Sequence, residues 1–306
     1  MHNIIIDCDP GHDDAVAILL AVRLANVLSI TTVAGNTSLA NTTRNALSLV
    51  ELMGADIPVH SGEATALDGE TRHAEHVHGE TGFGGTALPE PAASVASDDA
   101  VGHLIEQSKL TPDLTLIAVG PLTNVAKAMQ QDPDFAKRLH ALALMGGSTD
   151  AGNVTSTAEF NIWADPEAAR VVFAGDINPI VCGLNLTRQL RTDDEYTGSL
   201  REGGKAVGCF IAELYDYMHD RLEELVGARP AALHDPCAVL TITHPELFKF
   251  AEMHVDVEVS GELTRGMTVF DQRPSKLGPK PNCKVAVSVV PEEAKALIKD
   301  AVLSYR

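Results

Sequence analysis

Short apolar runs rich in β-branched residues recur along the chain, each separated from the next by a longer stretch with helical spacing. Ile4-Ile5-Ile6 opens the series, and Leu28 to Val33, Ile57-Pro58-Val59, Leu114 to Val119, Leu142-Ala143-Leu144 and Pro179-Ile180-Val181 continue it. Helices are expected from Asp13 to Ala25, from Leu39 to Met53 and from about Lys205 to Leu225, the last followed by a Gly-Ala-Arg-Pro turn. Val255 to Val259 and Val285 to Val290 alternate like strands, and Pro291 starts a closing helix. Strands alternating with helices predict an α/β fold: an open, mostly parallel, Rossmann-like sheet with helices on both faces. Two stretches break the pattern. Ser61 to Ser97, rich in Gly, Thr, His and Pro, reads as a long loop with little fixed structure, and Gly146 to Thr157 has the same small, polar character. Loops of such length are usually functional or disordered. With no internal repeat, a single domain over 1–306 with mobile loops at its site is expected.

Charge narrows the choice of ligand. The net charge is −19, from 42 acidic and 23 basic residues, which disfavours a nucleic-acid backbone or an anionic membrane as partner. A neutral or cationic small molecule fits better, and most of the acidic surplus serves solubility. The five cysteines, Cys8, Cys182, Cys209, Cys237 and Cys283, are scattered and form no C-x-x-C pair, so neither a disulfide framework nor a zinc ribbon is expected. The chain enters its first strand at once, with no basic leader and no apolar run of membrane-spanning length. A cytoplasmic setting is the expectation.

In open α/β sheets, ligands bind beyond the carboxyl ends of the parallel strands. Here those positions are polar and glycine-rich. The first strand leads into Asp7-Cys8-Asp9-Pro10-Gly11-His12-Asp13-Asp14, the second into Gly35-Asn36-Thr37, the run ending at Val119 into Gly120-Pro121-Leu122-Thr123-Asn124, and Leu144 into Met145-Gly146-Gly147. Four aspartates within eight residues repel one another unless a cation sits among them. Apart from Cys8, whose side chain alternates away, no His or Cys cluster accompanies them, so hard oxygen ligands suited to Ca2+ or Mg2+ are expected. The plain structural alternative is an Asp-rich helix start in which Asp13 satisfies free backbone amides.

The run from Asp7 to Ala15 resembles the N-terminal signature of the nucleoside hydrolases, the inosine-uridine preferring family. Gly35-Asn36, His78-Gly79-Glu80-Thr81-Gly82, Gly120 to Asn124, Met145-Gly146-Gly147, Gly152-Asn153, Glu159-Phe160-Asn161 and His234-Asp235-Pro236 follow in the family's order, so the resemblance covers nearly the whole chain. It implies the nucleoside hydrolase fold and a calcium-dependent hydrolysis of the N-glycosidic bond of ribonucleosides to free base and ribose, in nucleoside salvage. It implies one Ca2+ held by Asp9, Asp14, Asp235 and the backbone carbonyl of Thr123. With Asp14 bidentate, a water and two ribose hydroxyls would complete the roughly 6–8 oxygens that calcium accepts. Asp13, Asn36, Asn153, Glu159, Asn161 and the backbone of Met145 correspond to ribose contacts. Asp9 corresponds to the base acting on the attacking water, His234 to the general acid on the departing nucleobase, and His78 to a nucleobase contact made as its loop closes. The resemblance also implies a homodimer or homotetramer. The chemistry agrees with the charge, because breaking the C1′–N bond develops positive charge on the sugar, which a net negative site stabilises.

Plainer readings stand beside these. His234 reads equally as a hydrogen-bonded histidine at a helix start, with Asp235 as N-cap. His73, His76 and His78 lack a fourth ligand for zinc. Phe160 and Trp163 suit core packing as well as base stacking. Tyr215, Tyr217, Met218, His219 and Arg221 lie on the helix before His234, where the family places leaving-group residues, but variable loop length leaves none of them assigned and the purine or pyrimidine preference open. Two rival functions remain at this stage. A metal-dependent phosphohydrolase with a D-x-D motif would need a lysine anchor for phosphate, and none follows the later strands. A catalytically weak nucleoside-binding or sensing protein would have no use for the base at Asp9.

Overall fold

The computed structural model describes residues 1–86, 88–273 and 278–305. Its strands are β1 (Asn3–Cys8), β2 (Asn26–Thr32), β3 (Val59–Ser61), β4 (Leu114–Ala118), β5 (Ala141–Met145), β6 (Ile180–Cys182), β7 (Arg191–Thr192), β8 (Ala231–Ala232), β9 (Phe248–Met253), β10 (Val255–Val257), β11 (Thr268–Phe270) and β12 (Cys283–Val289). Eight of them form the main sheet in the order β3-β2-β1-β4-β5-β6-β12-β9. Pairing is parallel throughout except at the edge, where β9 runs antiparallel to β12. The expected α/β architecture is thus present.

The isoleucines of β1 show why the sheet is covered on both faces. Ile4 and Ile6 join the apolar cluster on one side, and Ile5 joins the cluster on the other with Leu114 and Leu116. A strand buried on both faces reads as an unbroken apolar run. Strand order reverses between β1 and β4, because β2 and β3 build outward on one side and β5 and β6 on the other. Register sets Asp7 beside Thr31 of β2 and Ala118 of β4, so the chain leaving β1 emerges into the crevice at that reversal.

One strand goes unannounced by the sequence pattern, and one expectation changes. The edge strand β9, Phe-Lys-Phe-Ala-Glu-Met, escapes the apolar pattern because it is exposed at Lys249 and Glu252 and only Phe248 is fully buried. The segment from Ser61 to Ser97 is not loosely structured. It contains a short helix, Glu75–His78, and is tied down from elsewhere: Thr37 Oγ1 donates to Glu80 O (2.7 Å), Asn45 Nδ2 to Thr81 O (2.8 Å), and an Arg72 guanidinium nitrogen to Ala164 O (3.0 Å). Phe83 is buried edge-on against Phe210. These partners lie far along the chain, and local periodicity does not register them. The cysteines form no disulfide, and no helix among the described residues is long and apolar enough to cross a membrane.

Candidate active site

Asp9 enters the crevice between two glycines that a side chain would obstruct. A Cβ on Gly35 would stand 2.1 Å from Asp9 Oδ2, and one on Gly120 would stand 2.7 Å from Oδ1. Oδ2 accepts from the Asn36 backbone N–H at 2.6 Å, while Oδ1 is buried with no hydrogen-bond partner. The helix His12–Leu24 then begins, and Asp14 in its first turn folds back on the chain that precedes it. Asp14 accepts from the backbone N–H groups of Asp9 (3.1 Å) and Gly11 (3.0 Å) and from Asn36 Nδ2 (3.0 Å). Asp235 occupies the N-cap position of the helix Pro236–Thr243 without a side-chain cap bond, so its carboxylate is free to face the crevice. Carboxylate oxygens of Asp13, Asp14 and Asp235 all lie within 4.8 Å of one another, and Asp9 stands beside this set.

Burial dominates the electrostatics of the group, and the neighbouring carboxylates add to it. Asp13 is pushed up to about 8 and Asp14 to about 6, while Asp9 and Asp235 rise well above the usual carboxylate range. Glu159, which adds repulsion on Asp13 and Asp235, is itself raised to about 7. Crowded, desolvated carboxylates without a countercharge are unstable as anions. The bare, buried Oδ1 of Asp9 and an all-oxygen donor set fit a hard divalent cation.

Around the carboxylates, amide groups are oriented by bonds to the fold. Asn36 Nδ2 donates to Asp9 O (3.0 Å) and Asp14 Oδ2, and Asn161 Nδ2 donates to Val119 O (2.8 Å) and Met145 O (3.1 Å). Both side chains therefore offer a ligand only their Oδ1. Glu159 caps the helix Phe160–Ala164, accepting from Gly147 N (3.0 Å), Asn161 N (2.9 Å) and Ile162 N (3.2 Å). Histidines stand beside the cluster, His12 next to Asp13 in the chain and His234 next to Asp235. His78 Nδ1 meets His12 Nδ1 at 2.9 Å, and His12 stacks on Tyr217 with centroids 5.4 Å apart. His234 Nδ1 meets Thr187 Oγ1 at 2.7 Å, and burial, with Arg188 and Arg191, holds its ring down to about 4.

The sequence matches the family described as inosine-uridine preferring nucleoside hydrolase over residues 4–296. The chain belongs to that family. The hydrolase is 40% identical over 291 residues to the pyrimidine-specific ribonucleoside hydrolase RihA of Citrobacter koseri, covering 94% of this chain and 93% of that one. Among solved structures, a plant nucleoside hydrolase, PpNRh1, superposes with a TM-score of 0.93 at 33% identity, covering 99% of each chain. The purine-preferring ribonucleoside hydrolase of Gardnerella vaginalis superposes with a TM-score of 0.92 at 28% identity, covering 99% of this chain and 98% of that one. The chain is accordingly an α/β enzyme of the ribonucleoside hydrolase class.

In this hydrolase the fold gathers Asp9, Asp13, Asp14, Asp235, Asn36, Glu159, Asn161 and Met145 at one rim. Asn153 is exposed, and its backbone N–H binds Ala158 O at 3.1 Å. Thr123 is buried at the start of the helix Thr123–Gln131, its hydroxyl donating to Asp165 Oδ2 at 2.7 Å. Phe160 and Trp163 pack with Ala74 and Ala164 in a small apolar cluster, which supports packing over base stacking. His73 turns to Gly35 O (3.2 Å) and His78 to His12, so the three loop histidines do not converge on a metal. Sequence reading passed over Asn124, whose Nδ2 binds both Asp7 Oδ1 (2.8 Å) and Thr32 O (3.0 Å), and it gave His12 no role. Asn124 closes the Gly120 to Asn124 motif, and that position was the available signal.

Proposed function

We propose that this hydrolase cleaves the N-glycosidic bond of ribonucleosides to free nucleobase and ribose with Ca2+ as its cation, serving nucleoside salvage, and that pyrimidine ribonucleosides are its preferred substrates. The convergence of Asp13, Asp14 and Asp235 beside the unpartnered oxygen of Asp9 carries the reading. Asp9, Asp14, Asp235 and the Thr123 carbonyl would hold the ion, an all-oxygen donor set of the kind calcium takes. Calcium bound there would supply Lewis-acid chemistry, anchoring the ribose diol and acidifying a water. The pyrimidine preference rests on the curated relative at 40% identity.

The residues of the chain divide the remaining work. Asp9 Oδ1, buried and without a hydrogen-bond partner, would take the proton of the attacking water. Asn36 Oδ1 and Asn161 Oδ1 accept from sugar hydroxyls, since their amide hydrogens are already engaged. Asp13 and Glu159 place negative potential beside the sugar as it becomes cationic. His234 donates to the departing base from the nitrogen that Thr187 leaves available, and His78 contacts the same nucleobase. Inosine, adenosine, guanosine, uridine and cytidine, assayed for released reducing sugar with and without a chelator, test the proposal. Uridine and cytidine should be cleaved fastest, and the chelator should abolish turnover until Ca2+ is restored. Full activity in the chelated protein would overturn the cation assignment, and faster purine cleavage would overturn the preference.

A further inference from the structure

We infer that His12 fixes the tautomer of His78, holding it as the Nε2–H form and so making it an obligate hydrogen-bond donor toward the nucleobase. The inference rests on the placement of His78 at the nucleobase proposed above. It begins with an unusual contact. The two Nδ1 atoms are 2.9 Å apart, and the ring centroids 4.9 Å apart. Gly11 leaves the space for it, since a Cβ there would come 2.6 Å from His78 Nδ1. His12 cannot swing away, because it is 1% exposed and its other neighbour is the parallel ring of Tyr217.

Two ring nitrogens at that distance share one proton, so one donates and the other accepts. A neutral imidazole carries a single N–H, so the ring that accepts through Nδ1 must carry its hydrogen on Nε2. The far side of His12 decides which ring that is. His12 Nε2 is buried with no hydrogen-bond partner. Were His12 the acceptor, its Nε2–H would be an orphaned buried donor; as the donor, it leaves only a bare lone pair there. Orphaned buried N–H groups are rarer than underused acceptors. His12 therefore donates, His78 Nδ1 accepts, and His78 presents Nε2–H. A fixed donor suits a carbonyl oxygen or ring nitrogen of the base and opposes an exocyclic amine in the same place. As the C1′–N bond breaks and its electron pair passes to the base, the donor stabilises that charge without giving up its proton.

Side-chain 15N spectra of histidine-labelled, Ca2+-loaded protein read the tautomer directly, with signals assigned through His12→Phe and His78→Phe. His78 should show a pyridine-like Nδ1 and a pyrrole-like Nε2 in the wild type, and an averaged pattern in His12→Phe, where the ring stack survives but the donor is lost. His12→Phe should also lower kcat on uridine by about tenfold, one hydrogen bond's worth, with KM little changed and p-nitrophenyl riboside much less affected. A pyrrole-like Nδ1 on wild-type His78, or an averaged pattern, would overturn the inference while leaving the proposed function standing. Unchanged uridine turnover in His78→Phe would remove His78 from the nucleobase and overturn the inference, while ribonucleoside hydrolysis itself would stand.

Discussion

Asp9 holds one oxygen against the Asn36 amide and keeps the other buried and bare, an arrangement that destabilises the metal-free fold in favour of chemistry. Replacing the carboxylate with a neutral amide should separate the two effects. Asp9→Asn is expected to raise the melting temperature of the metal-free protein and to lower turnover by about 100-fold or more. Turnover at the wild-type level would exclude Asp9 as the base. Gly35→Ala approaches the same point from outside, because its Cβ would fall 2.1 Å from Asp9 Oδ2 and 2.8 Å from the Pro121 ring. It should cut kcat/KM at least tenfold while the protein stays folded, and a fully active variant would mean that the Asp9 position is not critical. At this scale the aspartate run was legible, since so many like charges in a short span demand an explanation. The engaged amides of Asn36 and Asn161 were not, because their partners come from other strand ends.

The helix Leu39–Met53 was legible to its boundaries for a local reason. Ser38 caps it by accepting from Asn41 N, and Gly54 ends it in the left-handed conformation at φ 62°. The segment Glu75–Gly84 has no such side-chain cap and is held by the helix Ala206–Val226 as well as by Thr37 and Asn45. Arg221 Nε donates to His76 O at 2.7 Å, and Tyr217 lies flat over Gly84, where a Cβ would come 2.6 Å from the ring. Gly84 also sits at φ 61°, which costs any other residue about 1 kcal/mol. Gly84→Ala should therefore lift this segment and raise KM several-fold with a small loss of melting temperature. An unchanged KM would show that seating the segment on Tyr217 plays no part in substrate binding.

Across the whole molecule, buried titratable groups make stability depend on pH in two opposing ways. Asp7 and Asp14, raised to about 6, Glu159 to about 7 and Asp13 to about 8, keep protons in the metal-free fold that the unfolded chain has released, so their contribution to stability declines as pH rises from about 4 to 8. The stacked pair His60 and His103 acts in the other direction. His103 is held down to about 4, so the unfolded chain binds the extra proton and stability falls as pH drops from about 6.5 toward 4. A cation that binds the deprotonated cluster competes only with the first group. Added Ca2+ should thus raise the melting temperature more at pH 8 than at pH 5, and an equal or larger rise at pH 5 would place the ion elsewhere. From the sequence alone came the alternation of strands and helices, the polar strand ends that mark the crevice, and the family, all of which depend on order and spacing along the chain. Tertiary structure alone decided that the amide hydrogens of Asn36 and Asn161 are engaged and that His12 reaches His78 across 66 positions. Those outcomes turn on distances of about 3 Å between residues remote in sequence, and only the packed sheet and its helices set such distances.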